Sequence, residues 1–386
     1  LVYIYSEYVD FHASSNYFIF IIAPIMKYSN ILSGGRPFLL AVAMFTSFQY
    51  ATAQKADLLV VNKIKTNGNL EGNLAFVNLA TGKVIKTVPV GKEPHEVVVS
   101  TDKKYAVVSN TGSYQDAGNT LSVIDIAAQK EIHRVDLGPL WNPHGLWAMN
   151  GLFYFTVESS RMIGAYNPVT NKIVWLNGTG QDGTHTLAAT NDGKYLVATN
   201  RGSGTISIFQ LHKEKWGGDK GNQSNTTEKL DPLAPGVWQE TIVPVGRNPE
   251  GIAISPNEKQ VYVGLKNGEG VAVVDLATKT KVDSFKAGDA KQLSRLKFSR
   301  DGKYLLGTDN WPGGDLVIID VATKQVVKKI ALGQGAEAIF IEPDGRHVLV
   351  GVTGKDNVAE IDLQTFEITR RIETGQGPDG MAWIGN

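Results

Sequence analysis

The stretch EGIAISPNEKQVYVGLKNGEGVAVVDLATKTKVDSFKAG, residues 250–288, holds four short apolar segments separated by polar turns. Within each segment apolar residues alternate with others, which is the period of a β-strand. The same unit returns along the chain. Its third segments are LAFVNLATGK (74–83), LSVIDIAAQK (121–130), IGAYNPVTNK (163–172), TISIFQ (205–210), VAVVDLATKT (271–280), LVIIDVATKQ (316–325) and VAEIDLQTFE (358–367). Its second segments are YAVVSN (105–110), YLVATN (195–200), VYVGLKN (261–267) and YLLGTDN (304–310). Turns such as Asp192-Gly193-Lys194, Asp301-Gly302-Lys303 and Asp344-Gly345-Arg346 carry hairpin residues. A repeat of about 40–45 residues built from four strands predicts an all-β fold, a seven-bladed β-propeller with four antiparallel strands per blade.

The last copy is cut short. Asp379-GMAWIGN supplies one inner strand, and the three strands it lacks stand at the other end as ADLLVVN (56–62), LAFVNL (74–79) and KVIKTVPVG (83–91). One C-terminal strand and three N-terminal strands are expected to form a composite blade, which hides two sheet edges without a covalent tie. The chain has no cysteine, so disulfides, thiolate metal sites and c-type haem attachment are excluded.

These repeats resemble the YVTN family of seven-bladed β-propellers, named for a second-strand motif of this kind. The resemblance covers about residues 55–386 and rests on the proline lead-in, the Asp-Gly-Lys turn and the Val-Ile-Asp strand in register. It implies a binding or surface protein. Blade two, NPHGLWAMNGLFYFTVESSRMIGAYNP (142–168), lacks the Asp-Gly-Lys turn and is more similar to a repeat of the streptogramin lyases. That second resemblance implies metal-dependent elimination or lactone opening. No Trp-Asp dipeptide, diglycine kelch pattern or recurring Trp-docking pattern of quinone-cofactor propellers is present, nor is a Gly-x-Ser-x-Gly elbow or a phosphate loop.

Ahead of the repeats, Met26-Lys27, the apolar run Pro37–Phe48 and Ala51-Thr52-Ala53 read as a signal peptide over 26–53. Cleavage there would start the mature chain at Gln54, two residues before the first strand. A secreted or periplasmic location with no membrane span after cleavage is expected; a retained anchor is the alternative. Residues 1–25 read as an upstream extension of the frame, the alternative being a two-part leader. The domain expected is thus 54–386, with residues 211–238 a surface insertion or, if Trp216 and Trp238 are aromatic anchors, a docking element. The sequons at Asn177, Asn222 and Asn225 matter only in a eukaryotic secretory route. With 38 basic and 38 acidic side chains, nothing in the composition points to nucleic acid.

Aligning the inner strands brings His95, His144, His185, Glu250, Ser294, Glu337 and Asp379 to one position, the first exposed step of each blade. All seven should ring the top mouth of the central channel. Imidazoles with a carboxylate suit Zn, Cu, Fe or Ni, and acids facing histidines make acid–base pairs. His95, His144 and His185 are therefore candidate metal ligands for a divalent ion, the one cofactor considered. Glu158, at the end of the second strand of blade two, where Asn62, Asn110, Asn200 and Asn310 are its peers in other blades, joins His144 and His185 as a candidate catalytic group. Glu250, Ser294, Glu337, Asp379 and the loop residue Trp311, with Tyr114 beside it, are candidate ligand-binding residues. The function expected is a binding or scaffold module whose top face takes a protein, glycan or small-molecule ligand. The alternative is a metal-dependent lyase or lactonase-like enzyme using the His/acid ring, and a purely structural ring remains open.

Overall fold

The computed structural model describes residues 55–63, 71–113, 115–212, 237–310 and 313–385. They form seven four-stranded antiparallel sheets. Each sheet runs from an inner strand at the channel to an outer strand at the rim. The inner strands are Pro94–Val99, Pro143–Met149, Thr184–Ala189, Ile252–Ile254, Leu293–Phe298, Ala336–Ile341 and Pro378–Trp383, and they number blades one to seven. Among the described residues the single helical element is a 3-10 turn, Thr353–Lys355, and no helix is long and apolar enough to cross a membrane.

Packing explains the strand patterns. Second strands such as Leu152–Val157 are buried throughout, because both faces lie against neighbouring blades. Outer strands such as Lys172–Gly178 alternate exposed and half-buried residues, because one face meets water. The apolar residues fall into seven clusters, and each straddles one pair of adjacent blades. No blade has a core of its own; each apolar face is completed by the next blade round the circle. The circle closes as expected. Pro378–Trp383 pairs with Leu58–Asn62, setting Leu58 opposite Trp383 and Val60 opposite Met381.

Where blade two lacks the Asp-Gly-Lys turn, Met149 pairs directly with Leu152 across Asn150-Gly151. Both turn residues have positive φ (54° and 75°), the requirement of a two-residue type I′ hairpin. In blade three, strand pairing continues to Leu211–Trp238 and His212–Val237, so the ends of the expected insertion are strand. Trp238 is 8% exposed, with Tyr154 and Trp175 each at 6.1 Å, so it is a core residue and not a docking anchor. Trp216, Tyr114, Trp311, the expected signal peptide and the expected upstream extension lie outside the described residues.

Candidate functional site

A β-bulge builds the channel mouth. In blade one Pro94 pairs with Asn110 and Val97 with Val108, so His95 and Glu96 together oppose Ser109. Blades two, three and six show the same shift between Pro143 and Leu146, Thr184 and Leu187, and Ala336 and Ile339. A bulge breaks strict alternation and re-aims side chains. In these blades the bulge frees the lead residue from strict alternation, and in blade one it turns the residue after it, Glu96, toward the channel.

The residue opposite the bulge ties blades together. Gly145 N–H donates to Thr156 Oγ1 (2.8 Å), and Thr156 Oγ1 donates to the His185 carbonyl of the next blade. Thr308 Oγ1 reaches the Glu337 carbonyl (2.9 Å) in the same way. Inner strands pass so closely that a Cβ on Gly145 or Gly380 would lie 2.4 Å from the His185 carbonyl oxygen or 2.6 Å from that of His95.

A second ring caps the first. Asn62, Asn110, Val157 and Asn200 pair with the residue before each lead position. The residues just beyond them, Lys63, Thr111, Glu158 and Arg201, stand over the mouth, and Lys266, Asn310 and Thr353 hold the same place in blades four to six. Glu158 therefore aligns with Lys63 and Arg201, one step beyond Asn62, Asn110 and Asn200; of the expected peers only Asn310 shares its position.

The three histidines form a row. The ring centres of His95 and His144 are 4.6 Å apart, and those of His144 and His185 are 3.8 Å apart. His185 Nδ1 hydrogen-bonds Glu158, and its Nε2 lies 3.7 Å from Glu250. His95 Nδ1 lies 3.2 Å from Asp379, which also pairs with Lys63 (2.5 Å). His144 is 3% exposed, and its Nδ1 has no partner among the described residues. Donor atoms of His144, Glu158 and His185 all fall within 4.8 Å of one another.

Cations missed in the sequence knit the acids. Glu250 is shared by Lys266, Arg201 (3.7 Å) and Arg295 (3.9 Å). Arg295, next after the lead residue Ser294, pairs with Glu96 (2.8 Å) and approaches Asp379 (3.8 Å). Arg201 also lies 3.8 Å from Glu158. Burial, then the charge of Lys63, pushes His95 down to about 4. Burial and the neighbouring imidazoles hold His144 well below the usual range. His185 goes the other way: burial pulls it down, but the Glu158 carboxylate more than offsets this and raises it. Burial raises Glu337 and Glu96, while Glu250 and Asp379 are lowered against burial by their cationic neighbours. An imidazole held low thus stands beside one held high, so the two histidines differ in proton affinity, as an acid–base pair requires.

A cavity of about 250 Å³ opens here, lined by all three histidines with Glu158, Glu250, Glu337, Lys63, Arg201 and Arg295. An adjoining cavity of about 540 Å³ over blades five to seven shares Lys63 and Glu337 and adds Gln292, Asn310, Gln334 and Gln376. Asp379 and Ser294 have no accessible surface and stand behind the lining, the Ser294 hydroxyl donating to the Gln292 carbonyl (3.4 Å). The mouth thus unites His95, His144, His185, Glu158, Glu250 and Glu337; Asp379 supports them from behind, and Ser294 turns to its own strand.

Comparison with known proteins agrees on the architecture. Residues 251–381 match the Cytochrome D1 heme domain family, about a third of the chain. No curated protein matches. Among solved structures, a 6-phosphogluconolactonase candidate from Bacteroides uniformis superposes with TM-score 0.65 at 15% identity, covering 86% of this chain and 100% of its own. A second such candidate, from Bacteroides fragilis, gives 0.62 at 17%, covering 86% and 99%. Kuenenia stuttgartiensis hydrazine synthase gives 0.60 at 16%, covering 76% and 91%. At these identities the shared feature is the propeller fold.

The partial family match raises the question of a haem, and the described walls do not fit one. Neither cavity has an aliphatic side chain or a Phe, Tyr, Trp or Met among its described lining residues. The histidine cavity is also smaller than the ~300 Å³ lower bound usual for drug-sized ligands. A macrocycle with two apolar faces would find charges, amides, hydroxyls and imidazoles among the described lining residues, and no apolar wall to lie against. The mouth suits a small, polar occupant.

Proposed function

We propose that the protein is a YVTN-type ligand-binding propeller of the cell envelope, and that its channel mouth holds a divalent transition-metal ion. His144, Glu158 and His185 are the ligands, with His95 beside them as a further donor. One observation carries this reading: three donors from two adjacent blades lie within 4.8 Å, and the buried Nδ1 of His144 has no partner among the described residues. A nitrogen-rich set completed by a carboxylate suits Zn, Ni, Cu or Fe. The carboxylates behind the imidazoles, Asp379 at His95 and Glu250 at His185, supply the outer-shell contacts that orient metal-binding histidines.

An ion bound there would supply Lewis acidity and a water of lowered pKa. Elimination or lactone opening is the second reading, favoured by the likeness of blade two to a streptogramin lyase repeat and by Glu158 beside the imidazoles. The YVTN-like repeats and the signal-like segment 26–53 support an envelope location. Metal analysis of protein purified without added metal tests the proposal. Near-stoichiometric metal, or cobalt absorption bands that vanish in His144→Ala, is the expected result. No metal, together with unchanged thermal stability on adding Zn, Ni, Cu or Mn, overturns it.

A further inference from the structure

The first hairpin of most blades is held by one latch on the face opposite the histidines. Ser100, Thr190, Ser255 and Ser299 donate to Asp102 (2.7 Å), Asp192 (2.6 Å), Asn257 (2.8 Å) and Asp301 (2.6 Å). The same hydroxyls accept the N–H of Tyr105, Tyr195, Gln260 and Tyr304 at 2.9–3.0 Å. Blade six departs from this. Its hairpin reads Glu342-Pro343-Asp344-Gly345-Arg346-His347, with a carboxylate where the hydroxyl should be and an imidazole where the others have Tyr or Gln.

Asp344 keeps the turn, its Oδ1 accepting the N–H groups of Arg346 (2.8 Å) and His347 (3.0 Å). Its second oxygen meets His347 Nδ1 at 2.5 Å. Glu342 is only 9% exposed, and its Oε1 has no partner among the described residues. Donor atoms of Glu342, Asp344 and His347 lie within 4.8 Å of one another. The adjacent arginines are engaged elsewhere: Arg346 Nε holds Asp362 (3.0 Å) and Arg370 Nε holds Glu360 (2.6 Å). Glu342 thus presents a buried oxygen, unpartnered among the described residues, toward a second carboxylate and an imidazole.

We propose that this hairpin is a second divalent-cation site, with Glu342, Asp344 and His347 as its ligands. One imidazole and two carboxylates fit Zn, Mn, Ni or ferrous iron better than Ca or Mg, which prefer oxygen alone. Metal–ligand bonds of about 2.0–2.2 Å require these donors to close to roughly 3.5 Å. The outer two can move, since the His347 and Asp344 side chains are 27% and 45% exposed.

The repeat itself provides the control. Glu342→Ser/His347→Tyr rebuilds in blade six the latch that other blades already use, so it should fold. Binding of Zn²⁺, and separately Mn²⁺, is measured by calorimetry on the full chain and on this variant. The expected result is a loss of one equivalent of ion, together with the part of the metal-induced thermal stabilisation that this equivalent supplies. The difference is one equivalent whether or not the channel mouth takes an ion, so this test is independent of the proposed function. Glu342→Gln, which keeps shape and removes charge, should weaken the same equivalent at least tenfold. Equal stoichiometry and affinity in wild type and in whichever of these variants folds overturns the proposal.

Discussion

Replacing Arg295 by Met should destabilise the propeller by about 3–5 kcal/mol at pH 8, the usual consequence of removing one partner of a buried ion pair. Arg295 is 12% exposed and meets three carboxylates: Glu96 at 2.8 Å, Asp379 at 3.8 Å and Glu250 at 3.9 Å. At an effective dielectric of about 20, a unit pair at 4 Å is worth about 4 kcal/mol before desolvation. The three acids are not equally dependent on it. Asp379 keeps Lys63, and Glu250 keeps Lys266 and Arg201. Glu96 has no second ion pair among the described residues, so the loss should fall mainly on Glu96.

Glu96→Gln/Arg295→Met leaves no orphaned charge and should recover at least half of the loss. The penalty should also grow with pH. Glu96 already stands above the usual carboxylate range because of burial, and losing Arg295 raises it further. An acid whose folded pKa exceeds its unfolded one costs nothing while both states are protonated. It removes stability as pH rises from the unfolded value to the folded one. The single variant should therefore be nearer wild type at pH 5 than at pH 8. Urea unfolding followed by tryptophan fluorescence at both pH values measures all of this. A loss below about 1 kcal/mol at pH 8, or a double variant no better than the single, would refute the reasoning.

Thr156→Val keeps the shape but removes the link that satisfies Gly145 N–H and the His185 carbonyl; a loss of about 1–3 kcal/mol in urea unfolding is expected, and an unchanged midpoint would show the link to be idle. The metal-free protein should lose stability as pH falls from about 6.5 towards 4, because the unfolded chain takes up a proton that His95, held down to about 4, refuses. The His95 contribution is on the order of 3 kcal/mol and levels off below its folded value; His95→Gln should flatten that part of the profile, and identical profiles would dismiss it.

The lead ring was legible because a strand repeat carries its own register. His95, His144 and His185 align once the apolar residues after them are superposed, and the structure puts them in one row. The acids of blades four, six and seven were legible for the same reason. Glu158 was placed one residue early because blade two ends its second strand on Val157 where blades one, three and seven have Asn, removing the marker used for alignment. Arg295 and Glu96 were missed for a different cause. In a regular strand the residue after the lead position would turn away from the channel, and only the bulge, which period-two reasoning does not anticipate, brings it back. Lys63 and Arg201 were within reach: both directly follow the strand-ending Asn, at Asn62 and Asn200. Trp238 misled because a tryptophan at the edge of a polar insertion reads as exposed, while its strand partner Leu211 carries it into the core.

The seven blades need wedge-shaped apolar faces and a closing strand, and the interblade clusters supply both without any charge. The charged mouth is not required by that design. Buried ion pairs contribute little net stability compared with apolar packing of the same volume, and each is a liability when one partner is lost. A network joining Lys63, Asp379, Arg295, Glu96, Glu250, Lys266 and Arg201 is thus better explained by what it holds in place. What it holds is asymmetric. The charges compensate one another around the mouth, while blades one to three add a row of imidazoles whose central member has a buried nitrogen without a partner among the described residues. Arg295, Glu250 and Asp379 keep His185 and His95 at fixed distances from that nitrogen. Loosening Arg295 should therefore weaken metal binding at His144 even though Arg295 touches no ligand atom, because the frame that spaces the imidazoles would relax.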